Sequence, residues 1–148
     1  MKNNGAILAG GRKIRTPWGT FFGPNITPDK TYGIGNWSDE DFIRALRKGV
    51  SPYGSHYYPV FPYTSFTKMT TRDIRALKAY LFSLPSVAKP NIPHEIKFPF
   101  SFRQNIYFWK LLFFDEGPFR EDSDETKQWN RGAYLTKAPV SYTHLRAH

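Results

Sequence analysis

Apolar residues recur at helical spacing in four places along the chain. Between residues 38 and 50, Phe42, Ile43, Leu46 and Val50 share one face while Arg44, Arg47 and Lys48 face away, which predicts an amphipathic helix from Ser38 to Val50. Ser38 is a good N-cap, and Asp39, Glu40 and Asp41 bring negative charge to the positive end of the helix dipole. Ser38 and Asp41 have capping-box spacing, with Asp in place of the longer Glu, and Gly49 stops the helix. A second helix starts at Thr70 or Thr71 and runs to Leu84. Ile74, Leu77, Leu81 and Leu84 form its apolar stripe with Tyr80 beside it, Arg72, Arg75 and Lys78 its basic stripe, and Pro85 its end. Phe102 to Phe114 reads as a third, short helix, apolar almost all round, so it is buried or in contact with a partner. Trp129 to Ala138 has the pattern of the start of a fourth.

Between these segments the periodicity lapses. Gly5 to Trp37 is punctuated by Gly10-Gly11, Thr16-Pro17, Gly23-Pro24, Thr27-Pro28 and Gly33-Ile34-Gly35, and is expected to be one long ordered loop. Its Ile7, Leu8, Ile14, Trp18, Phe21, Phe22 and Ile26 argue against disorder, and a loop of that length in a compact domain usually binds something. Ser51 to Lys68 is a second loop, dense in rings: Tyr53, Tyr57, Tyr58, Phe61, Tyr63 and Phe66. Pro85 to Pro99 is a proline-spaced, extended connector, and the acidic stretch after Phe114 looks like an exposed linker. There is no internal repeat and no low-complexity segment.

Composition sharpens the aromatic theme. Of 148 residues, 13 are Phe, 9 Tyr and 4 Trp. That much ring surface suits a core built around something flat and apolar, although composition alone favours a small aromatic core with nothing in it. With no cysteine, the chain has no disulfide, no thiolate nucleophile and no cysteine-ligated metal. Met1 to Gly5 carries no apolar run after Lys2, hence no secretory signal, and the Ile106–Phe114 stretch is far short of the ~20 residues that cross a bilayer. The chain is therefore expected to be soluble. Its net charge of +9 is uneven: residues 1–114 hold sixteen Lys and Arg against six acids, while Asp115 to Glu125 holds the other six acids with one Arg. A basic body can dock on an acidic protein, nucleic acid or anionic lipid, or can simply be solvated.

Catalytic spacing is missing. His56, His94, His144 and His148 form no recognisable zinc motif; His144 and His148 are four apart, but in a terminal tail with little helix support. Neither GxSxG nor GxGxxG occurs, and the aromatics lie in Gly- and Pro-rich loops rather than in an RRM-type strand signature, so a nucleic-acid partner is not expected. Met69 is the one methionine besides Met1 and stands directly before a capped helix. A thioether is a soft ligand for haem iron, although a lone Met is more often core filler.

The words around Met69, taken in order, carry a resemblance. Thr16-Pro17-Trp18-Gly19-Thr20-Phe21-Phe22 leads to Pro24-Asn25-Ile26-Thr27-Pro28-Asp29, then to Gly33-Ile34-Gly35-Asn36-Trp37-Ser38-Asp39-Glu40-Asp41-Phe42 and Ala45-Leu46-Arg47-Lys48-Gly49-Val50-Ser51-Pro52. The run from Tyr58-Pro59-Val60-Phe61-Pro62-Tyr63 to Met69-Thr70 follows, and then Ala76 to Pro85. Over roughly residues 5–139 this series resembles the first haem domain of the multi-haem cytochrome c subunits of bacterial membrane-associated alcohol and aldehyde dehydrogenases.

The resemblance implies a mainly α, cytochrome c-like fold of short helices and long loops, here incomplete. It divides the chain into a truncated first cytochrome c domain (1–90), a connector with a short apolar helix (91–128), the start of a second such domain (129–139) and a tail (140–148) that fits nothing in the family. Haem c would be the cofactor of the intact parent. Met69 matches the distal iron ligand, although many relatives carry a methionine where this chain has Phe61, and Asn25, Ile26, Trp37, Tyr58, Pro59 and Tyr63 match positions lining the haem pocket. The CxxCH attachment motif, expected shortly before Gly5 and again soon after Pro139, is absent, so the fragment is expected to fold poorly around the missing haem. The implied function is electron transfer, not substrate oxidation: electrons pass from a dehydrogenase catalytic subunit to a downstream acceptor of the respiratory chain. The implied setting of the parent is periplasmic and membrane-associated, with Phe102 to Phe114 the candidate for contact with a partner or the membrane surface. The alternative is a haem-free basic module that binds an acidic protein or nucleic acid.

Overall fold

The computed structural model describes residues 7–138, in the order β1 (Lys13–Thr16), β2 (Gly19–Phe22), α1 (Asp39–Lys48), α2 (Tyr63–Phe66), α3 (Thr71–Phe82), β3 (Glu95–Ile96), α4 (Gln104–Phe113) and α5 (Lys127–Lys137). All four helices expected from periodicity form, within a few residues of their expected ends. The chain divides into two compact units that alternate in sequence: one holds the residues up to Ser38 together with Ala76–Phe102, the other holds Asp39–Arg75 and the residues from Arg103 onward. The helix α3 contributes to both.

In the first unit the expected unbroken loop before Trp37 is corrected. Lys13–Thr16 and Gly19–Phe22 pair antiparallel, Ile14 facing Phe21, about a two-residue Pro17-Trp18 turn, and Thr16 Oγ1 donates to the Gly19 carbonyl at 2.9 Å. The proline fits the turn, and its flanking strands are too short to show periodicity. From the otherwise extended connector, β3 adds to the far edge, so the sheet order is β1-β2-β3. A Cβ at Gly19 (φ +141°) would collide with the Glu95 carbonyl, so that edge requires glycine.

In the second unit α1 carries its acidic first turn and basic last turn as the dipole favours, and buries Phe42, Ala45 and Leu46. It ends at Gly49, whose φ of +57° is the left-handed C-terminal conformation. The second loop is not wholly irregular: Tyr63–Phe66 makes one helical turn after Pro62. In α4 the expected polarity is inverted. Its one charged side chain, Lys110, is buried, while Tyr107, Phe108, Leu111, Leu112 and Phe113 are exposed. The acidic segment is exposed but tied down: Asn130 of α5, itself buried, accepts from Asp122 N–H and donates to the carbonyl of Asp122, both at 2.8 Å. Pro139 and the 140–148 tail lie outside the described residues.

Candidate functional site

The seven site residues expected from the sequence fall into both units, Asn25, Ile26 and Trp37 in the first and Tyr58, Pro59, Tyr63 and Met69 in the second. In the first, Asn25 is buried and its amide is fully used. Its Oδ1 accepts from Thr27 N–H at 3.0 Å and Thr27 Oγ1 at 2.7 Å, and its Nδ2 donates to the carbonyls of Val87 at 2.8 Å and Lys89 at 3.1 Å. The Asn25 N–H donates to Asn91 Oδ1 at 2.6 Å, and Val87 N–H donates to Thr27 Oγ1 at 3.2 Å. The Asn25 amide, the Asn25 N–H and the Thr27 hydroxyl thus pin residues 25–27 to the connector 87–91. Nearby, Asp29 Oδ1 accepts from the N–H groups of Tyr32 and Thr31, and these bonds hold its carboxyl below the usual carboxylate range. Ile26 and Trp37 are half-buried and joined to the loop by backbone bonds, Ile26 N–H to Leu8 O and Trp37 N–H to Ile34 O.

The second unit is organised around rings. Tyr63 is wholly buried, and its ring lies against Gly49, where a Cβ would come within 2.6 Å of two ring carbons. Phe114 meets it edge-on at 5.2 Å, and Phe61 links it to Phe66 and Tyr57. Such edge contacts suit the quadrupoles of the rings. Burial pushes the Tyr63 phenol up to about 12, and among the described residues its hydroxyl has no hydrogen-bond partner. Tyr58 is buried beneath the Arg103 guanidinium at 5.5 Å, whereas Pro59 is exposed. Met69 is buried directly before α3, and its N–H donates to Phe66 O.

Sequence reasoning missed Lys110. Its Nζ donates to the carbonyls of Lys48 at 2.6 Å and Gly49 at 2.8 Å, meets His56 Nδ1 at 2.9 Å, and stands 4.6 Å from the centre of the Tyr63 ring. The visible signal was a single charge inside an otherwise apolar helix. Burial lowers the Lys110 ammonium to about 8, with Glu116 opposing; burial and then the Lys110 charge lower His56. His94, the other described histidine, accepts Phe22 N–H at Nδ1. Among the described residues, no cluster of three His, Asp or Glu is placed to hold a metal ion, and no helix is long and apolar enough to cross a membrane.

For haem c the fit is one-sided. A buried thioether, and a buried phenol among rings that has no hydrogen-bond partner among the described residues, suit the wall of a haem pocket. The thiols of a covalent attachment are not in this chain, which has no cysteine.

No family model matches the chain. Several curated proteins are similar to it. A nicotinate dehydrogenase subunit of Pseudomonas putida is 44% identical over 133 residues, 90% of this chain and 11% of that protein. A "diheme cytochrome c-type" protein of Cereibacter sphaeroides is 43% identical over 88% of this chain and 44% of its own length. The fructose dehydrogenase cytochrome subunit of Gluconobacter japonicus is 40% identical over 89% of this chain and 28% of its own length. The chain thus spans less than half of the length of each. The haem-free basic module draws no support from these names.

Proposed function

This chain is homologous, over part of their length, to the cytochrome c-type subunits of bacterial dehydrogenases, and we propose that its parent carries electrons from a dehydrogenase catalytic subunit towards the respiratory chain. The parent does not itself oxidise the substrate. The observation that carries this reading is identity of about 40% along some nine-tenths of the chain with proteins named as cytochromes or cytochrome subunits. In the parent, haem c would supply a reversible one-electron couple. The residues of this chain contribute the surroundings of that group. Met69 is the candidate thioether ligand, Tyr58 and Tyr63 the candidate aromatic wall with Pro59 at its rim, and Asn25, Ile26 and Trp37 the candidate loop contribution.

The domain reading accompanies this function: a first cytochrome c domain over 1–90, a connector over 91–128 and the opening of a second domain over 129–139. The parent would work in the periplasm at the membrane, and the exposed rings and leucines of α4 support contact of that helix with a partner or the membrane surface.

The test is reduction of the full-length, haem-loaded parent by its partner dehydrogenase on addition of substrate. Rapid reduction that is lost when the dehydrogenase is omitted is expected; a parent that incorporates no haem ends the reading. In the same protein Met69→Ala should lower the reduction potential, because a His/Met pair gives a higher potential than a site without the thioether. An unchanged spectrum and potential would remove Met69 from the iron.

A further inference from the structure

Three segments of the second unit converge on one ammonium group. The α1 C-terminus presents carbonyls that lack partners within the helix, and Lys110 Nζ binds two of them, Lys48 O at 2.6 Å and Gly49 O at 2.8 Å. Gly49 O also accepts Tyr57 N–H at 2.8 Å, and Val50 bridges to His56, so the loop 50–57 is folded back onto the same point. His56 Nδ1 faces the ammonium at 2.9 Å and must therefore be the unprotonated ring nitrogen. Gly49 and the cation both border the Tyr63 ring, with Nζ 4.6 Å from its ring centre and 6.0 Å from that of Phe114.

We infer that Lys110 is a positioning residue for Tyr63: it holds the ring by a cation–π contact and fixes the end of α1, Gly49 and the 50–57 loop beside it. The role rests on the reading of Tyr63 as a pocket residue. A carbonyl cradle and an aromatic face explain why a helix otherwise apolar carries one lysine and turns it inward. A neutral residue of equal length would keep the packing but lose both the carbonyl bonds and the attraction to the ring. Arginine would keep the charge but present a planar fork where a compact ammonium fits. The charged and titratable groups facing the cluster are Lys48 with Glu116 at 3.8 Å, His56, Tyr63, Tyr107 beside His56, and Arg103, whose Nη1 donates to His56 O.

The first test needs no haem. In the 148-residue chain labelled with 13C at Tyr and Lys, the Lys110 side-chain signal should titrate near pH 8, and the Tyr63 ring signals should follow the same midpoint. His56 titrates below that range and Tyr63 above it. Lys110→Met should abolish the Tyr63 inflection and shift its ring signals, and Lys110→Arg should restore part of the shift. If Lys110→Met does not fold, the wild-type titration alone decides. Tyr63 signals that stay flat through the observed Lys110 midpoint overturn the inference. In the haem-loaded parent, Lys110→Met should lower the reduction potential, because a nearby positive charge favours the electron-richer state; an unshifted potential overturns the pocket role. A parent that takes up no haem defeats the electron-carrier reading and leaves the Tyr63 titration to judge the clamp.

Discussion

The two units hold themselves together by different chemistry. The first is stitched by polar bonds between distant backbone segments: Asn25 and Thr27 join residues 25–27 to 87–91. The second is a knot of rings closed by a buried cation. A saturated amide is directional, and one missing partner strands several buried groups, whereas an aromatic cluster is held by area and fails gradually. The largest single-residue effects are therefore expected in the unit with the smaller apolar core.

The strongest way to break this contrast is Asn25→Ala. It strands the buried Thr27 N–H and hydroxyl, each costing about 1–3 kcal/mol when left unpaired, and releases the part-buried carbonyls of Val87 and Lys89 to water, so a loss of about 3 kcal/mol is expected in urea unfolding. A loss under about 1 kcal/mol would show that the connector is held by something else. Gly49→Ala probes the knot. It combines a left-handed φ with a Cβ 2.6 Å from the Tyr63 ring, and should cost about 2 kcal/mol by the same measurement.

The pH dependence sharpens the contrast further. The Lys110 pKa is lowered in the folded chain, so between pH 8 and about 10 the unfolded state binds more protons and stability rises with pH. The penalty of burying the charge is present in full below that window. The rise cannot exceed about 1.4 kcal/mol per pH unit for one group, and it should vanish in Lys110→Met. Above pH 10 the raised Tyr57 and Tyr63, both near 12, reverse the slope, because the unfolded tyrosines ionise first. The smallest effect belongs to Arg75→Ala. Its 3.8 Å pairing with Asp39 is solvent-exposed on both sides, and a change within about 0.5 kcal/mol is expected in urea.

The same contrast explains what could be read from the sequence. Helices α1 and α3 were legible because Phe42, Leu46, Ile74 and Leu81 repeat at the helical period, and each of them is buried. The β1–β2 hairpin was not, since four-residue strands around Pro17 look like one more Gly/Pro break, and the third strand lies more than seventy residues away. Asn25 stood in a recognisable word, but nothing local announces that its amide bonds to residues 87 and 89. The lone charge at Lys110 was visible as an interruption, while its carbonyl partners at 48 and 49 belong to another helix and appear only in the fold. Met69 and Tyr63 were legible as chemistry, a soft sulfur and a phenol, and the structure adds that both are buried and that the phenol has no hydrogen-bond partner among the described residues.

The inverted polarity of α4 has a practical side. With Lys110 drawn inward, the helix shows water three consecutive large apolar side chains, Leu111, Leu112 and Phe113, exposed over 66%, 76% and 68% of their surface. Phe108 lies one turn before Leu111 and Leu112, and Tyr107 one turn before Leu111, so the exposed apolar surface runs along the helix, and such a surface makes a purified polypeptide behave as a weak surfactant. Sulfate and phosphate buffers strengthen association between such patches, so this chain should precipitate on salting and stay dispersed in dilute chloride with a mild non-ionic detergent. Handling conditions borrowed from ordinary basic proteins, which favour added salt, would drive it out of solution.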